Sequence, residues 1–113
     1  MNAIGRRAED YCAQFLERAG LRLVARNWHC RFGEIDLIAR EETTLVFFEV
    51  RLRREQRFGG ARESIGPLKR RRLLAAVRAY LAGRREVECR FDVLLLESLD
   101  PPKLEWVRNA LEA

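Results

Sequence analysis

The chain has 113 residues, 48% of them apolar and 35% charged, with a formal net charge of +5 and a pI near 9.7. These values predict a single domain over residues 1–113. They exclude a wholly disordered chain, and no apolar run approaches the roughly 18 residues that a membrane-spanning helix needs. The excess of basic residues is compatible with binding to phosphate groups, although a basic pI does not identify a partner by itself.

Periodic apolar residues predict an α/β protein with two helices and five strands. A helix over residues 3–19 is followed by strands over residues 21–26, 33–40 and 45–52, by a helix over residues 64–82 with Ser64 as its N-cap, and by strands over residues 89–96 and 103–107. The third strand is apolar on both faces, which predicts a central position in the sheet. A helix joins it to the fourth strand, so we expect these two strands to run parallel. The order predicts a mixed central sheet flanked by a helix on each face.

Acidic residues on the second and third strands give the clearest chemical signal. Glu34 and Asp36 lie two residues apart in the string GEIDLI, and Glu49 and Arg51 lie two residues apart in the next strand. Strand alternation puts each pair on one face. Pairing across the hairpin would bring Asp36 and Glu49 onto one cation, and Mg²⁺ accepts few carboxylates while retaining several waters. The residues alone leave two other interpretations open: acids of an amphipathic strand that face water, or an ion pair of Glu49 with an arginine.

Several strings follow one another in a characteristic order: AED, RN after the first strand, GEIDLIA, LVFFEVR, GG, a lysine-bearing second helix ending in YL, and RFDVL. From about Gly5 to Ala110 the chain resembles the YraN-like proteins, known as uncharacterised protein family 0102. These are grouped with the restriction-endonuclease-like PD-(D/E)xK nucleases. The resemblance implies an α-β-β-β-α-β core similar to that of archaeal Holliday-junction resolvases. It also implies a nucleic-acid-binding protein of nuclease fold, namely a Mg²⁺-dependent endonuclease that hydrolyses DNA phosphodiesters, with branched DNA as a candidate substrate.

The resemblance assigns roles to particular residues. Asp36 is similar to the first metal-binding acid of the superfamily, and Glu49 to the acid of the ExK signature. Glu9 resembles an acid on the first helix of the resolvase branch, with a solvated helix carboxylate as the alternative. Glu34 is a candidate auxiliary acid, and the backbone carbonyl of Val50 is a candidate further metal ligand. The implied cofactor is Mg²⁺ or Mn²⁺.

Arg51 departs from the family pattern, in which the third signature position is lysine. Arginine can hold a phosphate through two hydrogen bonds, but it cannot readily release a proton. Arg51 therefore either acts electrostatically in an active enzyme or marks a DNA- or RNA-binding adaptor that has lost cleavage activity. Lys69 on the second helix could supply a substitute ammonium group, whereas a solvated surface lysine is the simpler expectation.

A basic segment directly beyond the acids predicts contact with nucleic acid, with DNA favoured. The candidate nucleic-acid-binding residues are Arg53, Arg54, Arg57, Arg62 and Lys69. The basic run over residues 69–72 covers more than one helix face, so its members cannot all contact one ligand.

Location and assembly are predicted from weaker signals. Cys12, Cys30 and Cys89 form no CxxC pair, and no hydrophobic leader follows Met1, which together favour a cytoplasmic protein with reduced thiols and no membrane partner. Related resolvases act as dimers, so the resemblance suggests a symmetric homodimer.

Overall fold

A computed structural model describes residues 3–52, 65–85 and 87–111. Its helices and strands follow the predicted order: α1 (Ala3–Arg18), β1 (Arg22–Cys30), β2 (Gly33–Glu41), β3 (Thr44–Leu52), α2 (Pro67–Leu81), β4 (Cys89–Leu99) and β5 (Pro102–Val107). Neither helix in these residues combines the length and the apolar character that crossing a membrane requires. All three cysteines carry free thiols.

The five strands form one mixed sheet in the order β1-β2-β3-β4-β5. β3 pairs in parallel with β4, whereas the other neighbouring strands are antiparallel. The predictions of a mixed α/β sheet, a central third strand and a parallel third and fourth strand are therefore confirmed.

Each face of the sheet is covered by one helix. On β3, Phe48 packs in a core cluster with Cys12 and Leu16 of α1. The adjacent Phe47 packs in a second cluster with Leu73 and Tyr80 of α2. Since neighbouring strand residues point to opposite faces, this arrangement explains why β3 is apolar on both sides.

The start of α2 and the end of β1 differ from the predictions. The N-cap of α2 is Gly66, followed by Pro67 in the first turn, so the prediction of Ser64 as the N-cap is wrong. Proline is favoured at this place because it lacks an N–H that the first turn would leave unpaired. β1 continues through Arg26 and Asn27 to Cys30, and Asn27 has a φ of 51°. Asparagine tolerates that left-handed conformation better than most residues, which lets a polar pair lie within the strand.

Asp92 ties the last strand and the following turn to the core. Its side chain is fully buried on β4. Its carboxylate accepts hydrogen bonds from Arg90 Nε at 3.0 and 3.1 Å, from Trp106 Nε1 at 2.8 Å, and from the backbone N–H of Asn109 at 3.0 Å. A buried carboxylate is tolerated only with such partners, so the acid in RFDVL fixes how β5 lies on the sheet.

Candidate functional site

Asp36 lies where β2 and β3 separate. The pairing between these strands ends with Leu37 and Phe48, whereas β2 stays paired with β1 as far as Gly33. Beyond the last pair, the backbone N–H of Val50 donates a hydrogen bond of 2.8 Å to Asp36 Oδ2. The Asp36 carboxylate thus accepts a hydrogen bond that a backbone carbonyl would accept in a continuous β2–β3 pairing.

The alternation of side chains is interrupted at the same point. Ile35 and Ile38 lie three residues apart but pack in the same core cluster, although strict alternation would put them on opposite faces. Strict alternation therefore fails between Ile35 and Ile38, although Glu34 and Asp36, which the sequence put on one face, line the same cavity. The interruption lets the Asp36 carboxylate interact with acids from both sides of the sheet.

Three acids from three different elements interact at this place. Burial and, next, the negative charge of Glu49 raise the pKa of Asp36 to about 8, with a smaller contribution from Glu9, while the hydrogen bond from the Val50 N–H opposes the rise. Glu9 and Glu49 are themselves only 3% and 5% exposed. The structure therefore brings together the acids that the resemblance selected, and it does so at a site where a second negative charge is disfavoured.

Glu9 is held in place by two residues of β1. Its Oε1 accepts a hydrogen bond of 2.6 Å from Asn27 Nδ2 and lies 3.5 Å from Arg26 NH2. Arg26 and Trp28 pair with Leu37 and Ile35, which puts Asn27 opposite Asp36. The alternative of a solvated Glu9 is therefore wrong.

Sequence reasoning did not identify Arg26 or Asn27 as part of the site. The only available signal was the RN string in the family resemblance. It gave no role, because the contact with Glu9 depends on how α1 packs across β1.

Two cations approach Glu49. Lys69 Nζ lies 2.6 Å from Glu49 Oε2, and Arg51 Nε lies 3.6 Å from the same oxygen. Lys69 is a surface lysine, as expected, with its side chain 45% exposed, but its ammonium also contacts Glu49. The neighbouring Arg70 instead donates a hydrogen bond of 2.6 Å to the carbonyl of Leu111. This divergence confirms that the basic run does not face one ligand.

These acids line two neighbouring cavities. The cavity of about 440 Å³ contains Asp36 and Glu49, which we call the acid pair. Its lining residues are Gly33, Glu34, Asp36, Glu49, Leu68, Lys69, Arg72 and Leu73. The other, of about 590 Å³, is lined by Arg6, Glu9, Asp10, Arg26, Asn27, His29 and Glu34. Glu34 lies between them and lines both. The smaller cavity has the size of an ordinary small-ligand site, and its combination of carboxylates, an ammonium and a guanidinium suits a phosphate group with a cation.

The donor groups at the acid pair are those that a hard divalent cation uses. Among residues 3–52, 65–85 and 87–111, no three His, Cys, Asp or Glu side chains are grouped as a metal site. Two carboxylates are nevertheless enough for Mg²⁺, which keeps most of its waters. Burial and the charge of Glu49 raise the pKa of Asp36, so a second negative charge is disfavoured at this place, and a bound cation would offset that charge. Asp36 and Glu49 therefore fit a divalent cation. The backbone N–H of Val50 binds Asp36, so the carbonyl of Val50 stays a candidate further ligand of that cation.

The predicted basic segment cannot be placed in the same way. Arg53, Arg54, Arg57 and Arg62 lie outside the described residues. Of the candidate nucleic-acid-binding residues, Lys69 alone belongs to the described part, and it lies beside the acids.

The raised pKa of Asp36 predicts a specific pH dependence of stability in the absence of divalent metal. The carboxyl ionises near 3.8 in the unfolded chain and near 8 in the folded protein. Between those values the folded state binds the extra proton, so stability falls as pH rises. Asp36→Asn removes this titration. Relative to wild type, we expect it to gain at least about 1.4 kcal/mol between about pH 5 and pH 9, the equivalent of one pKa unit.

Urea unfolding with a chelator present measures this difference. Glu105→Gln is the matched control because Glu105 is an exposed acid on β5. Stability curves of wild type and Asp36→Asn that stay parallel across this pH range would contradict the assignment.

Comparisons with known proteins agree on one family. The family model described as "Uncharacterised protein family UPF0102" matches residues 8–96. The chain is 48% identical to a UPF0102 protein of Nitrosomonas europaea over 96% of this chain and 92% of that protein. It is 50% identical to one of Dechloromonas aromatica over 98% of this chain and 90% of that protein. It is also 41% identical, over the full length of both chains, to one of Methylobacillus flagellatus.

Proposed function

The chain belongs to the uncharacterised family UPF0102, and we propose that this member is a nucleic-acid-binding protein with the restriction-endonuclease-like fold. We further propose that it is a Mg²⁺- or Mn²⁺-dependent endonuclease that hydrolyses DNA phosphodiesters. Branched DNA is the proposed substrate form, and the cytoplasm the proposed location. A homodimer would let two such sites cut two strands.

One observation carries this proposal. The carboxylates of Asp36 and Glu49 meet where two strands separate, and the Lys69 ammonium lies 2.6 Å from Glu49. Two acids and a lysine are the chemical groups of the nuclease signature that the sequence resembles. In this chain the lysine comes from α2, while the strand position that normally supplies it holds Arg51.

The divalent cation would be held by Asp36 and Glu49, with the carbonyl of Val50 as a further candidate ligand. When bound, such a cation polarises a phosphoryl oxygen and lowers the pKa of a nearby water. It would also relieve the repulsion that now raises the pKa of Asp36. The Asp36 carboxyl would then be ionised in the working protein.

The protein's own side chains have separable tasks in the proposed reaction. Hydrolysis joins a water oxygen to phosphorus and breaks the bond to one sugar oxygen, which takes up a proton. Lys69 and Arg51 would donate hydrogen bonds to phosphate oxygens and offset the negative charge that develops there. Glu34 lines the same cavity and would accept a hydrogen bond from the attacking water. Arg26 and Asn27 act through Glu9, which they hold in position.

A non-catalytic DNA- or RNA-binding adaptor is the alternative. Glu49 already has two cationic neighbours, Lys69 and Arg51, so this carboxylate is compensated without a metal. In an adaptor these cations would stay paired with Glu49, and the basic surface would bind nucleic acid without cleaving it.

A cleavage assay separates the two functions. Purified protein is incubated with four-way, flap and linear DNA at increasing Mg²⁺ or Mn²⁺, with a chelator in parallel reactions, and binding is measured on the same substrates. The enzyme proposal predicts cuts that need the metal. Salt-sensitive binding with no cut in any substrate establishes the adaptor, and absence of salt-sensitive binding contradicts both.

The lysine on α2 gives a sharper prediction. We expect Lys69→Met to lower the cleavage rate by about 10–100-fold, the usual cost of losing a supporting group at a metal site. Adding Arg51→Lys to that variant should restore part of the rate, because the new ammonium lies at the signature position.

Lys103→Met is the control for this pair, since Lys103 is the only other lysine in the chain and lies on β5. Equal rates for Lys69→Met, Lys103→Met and wild type would show that Lys69 has no part in cleavage.

A further inference from the structure

A basic concave surface lies beside the acid site. It encloses an open cavity of about 480 Å³, whose lining includes Arg31, Phe32, Leu68, Arg71, Arg72 and Arg78. No described residue that lines it is acidic. We call these six residues the Phe32 surface.

Two elements build the Phe32 surface. The turn between β1 and β2 supplies Arg31 and Phe32, and α2 supplies the rest. Leu68 lies three and four residues before Arg71 and Arg72, and Ala75, which also lines the surface, lies three residues before Arg78, so these positions share one helix face. This face points away from the buried residues Leu73, Ala76 and Tyr80. The turn approaches α2 closely, since a Cβ placed on Gly33 would lie 4.0 Å from the Cβ of Arg72.

The Phe32 surface combines positive charge with exposed apolar groups. Phe32 is 40% exposed and Leu68 is 56% exposed. The guanidinium carbon of Arg31 lies over the Phe32 ring, 4.7 Å from its centroid, a cation–π contact. Aromatic rings and guanidinium planes are the groups on which proteins stack unpaired bases.

The Phe32 surface is continuous with the acid cavity. Leu68 and Arg72 line both. A nucleic-acid strand with a phosphate beside Asp36 and Glu49 can therefore continue onto this surface. Its next phosphates would meet arginines, and its bases would meet Phe32 and Leu68.

We propose that the Phe32 surface binds unpaired bases of the same DNA strand whose phosphate lies at the acid site. The inference rests on the proposed function and makes it more specific, because it names DNA with a single-stranded segment next to a duplex as the substrate class. A base can stack on Phe32 only when it is not already stacked and paired in a duplex. The surrounding arginines contact the backbone and carry no sequence preference.

Fluorescence anisotropy tests the stacking role. The probes are a labelled blunt duplex and the same duplex with two unpaired arms at one end, measured without divalent metal so that no cleavage occurs. We expect wild type to prefer the armed duplex, and Phe32→Leu to lower this preference by about 5-fold or more, since stacking of even one base has an effect of that order. Phe32→Trp should retain the preference because it keeps an aromatic ring. Equal affinity of wild type for both probes, or an unchanged preference in Phe32→Leu, would overturn the proposal.

The arginines are tested by their salt dependence. Replacing Arg71 or Arg78 singly with glutamine should weaken binding to both probes and reduce the slope of log affinity against log salt by about 1. Arg22→Gln is the charge-matched control, because Arg22 is exposed at the opposite end of β1 from the turn. Equal effects of Arg22→Gln and of either single replacement would contradict a specific role for this surface.

Two further measurements separate this inference from the proposed function and from other partners. Metal-dependent cleavage with no effect of Phe32→Leu on the armed-duplex preference would refute the inference and retain the nuclease. A preference of wild type for the armed duplex that Phe32→Leu lowers, with no metal-dependent cleavage, would retain the inference and refute the nuclease proposal. Competition by polyglutamate or anionic lipid vesicles as effective as competition by single-stranded DNA would show a general polyanion surface and overturn the inference.

Discussion

The Asp36→Asn protein is expected to bind DNA at least as tightly as wild type and to cleave it more than about 100-fold more slowly. Loss of an outer partner at a metal site commonly costs about 10–100-fold, and here a direct ligand would be lost. Asp36→Asn also removes a negative charge from the place where a phosphate would lie, so binding of the DNA polyanion should not weaken. Initial cleavage rates at saturating Mn²⁺ measure the loss, and anisotropy on the same DNA measures the binding.

Glu49→Gln should behave in the same way, because Glu49 shares the site with Asp36. Glu105→Gln changes the net charge equally at an exposed position on β5 and should cleave like wild type. If Asp36→Asn and Glu49→Gln both retain the wild-type rate, the acid pair is not the active site, whatever activity the protein has.

The Asp92→Ala protein is expected to lose about 3–5 kcal/mol of unfolding free energy, as when one partner of a buried charge pair is removed. The substitution leaves the Trp106 indole N–H and the Asn109 backbone N–H without their acceptor, and it leaves Arg90 with Glu41 at 2.8 Å as its remaining acidic neighbour. Urea unfolding followed by circular dichroism measures the loss.

Asp92→Asn should lose less, since the amide oxygen still accepts one of these hydrogen bonds. Glu105→Ala, an exposed change on the paired strand β5, should stay within about 0.5 kcal/mol of wild type. A loss for Asp92→Ala no larger than that for Glu105→Ala would show that the buried network does not anchor β5.

The architecture followed from apolar patterning because each helix and strand buries its own stripe. Phe47 and Phe48 could be assigned to opposite faces from the sequence, since neighbouring strand residues alternate, and a strand apolar on both faces belongs at the centre of a sheet. The end of β1 was missed because the polar pair Arg26 and Asn27 looks like the end of a strand. In the structure both residues lie within β1, and Asn27 has a positive φ.

The acids of the candidate site could be identified from the sequence, whereas Lys69 could be named as a candidate cation but not placed beside them. Asp36 and Glu49 lie on strands joined by a short hairpin, so their proximity follows from local pairing. Whether Lys69 points to Glu49 depends on the rotation of α2 about its axis. That rotation is set by tertiary packing of Leu73, Ala76 and Tyr80. The partners of Asp92 were hidden for the same reason, because Trp106 and Asn109 reach it only through the pairing of β4 with β5.

Helix α2 therefore contributes side chains to the core, to the acid site and to the Phe32 surface. Leu73 and Tyr80 pack on the sheet, Lys69 reaches the acids, and Arg71 and Arg78 line the basic concavity. In the proposed mechanism, the ammonium that a lysine at position 51 would supply comes from Lys69 on α2, which lies beside Glu49.

Binding of Mn²⁺ to the metal-free protein, followed by electron paramagnetic resonance, tests the central claim without requiring any substrate. The account predicts a site in wild type that is lost in both Asp36→Asn and Glu49→Gln and kept in Glu105→Gln. Wild-type protein that binds no Mn²⁺, or binding that survives in both acid-pair variants, would contradict it.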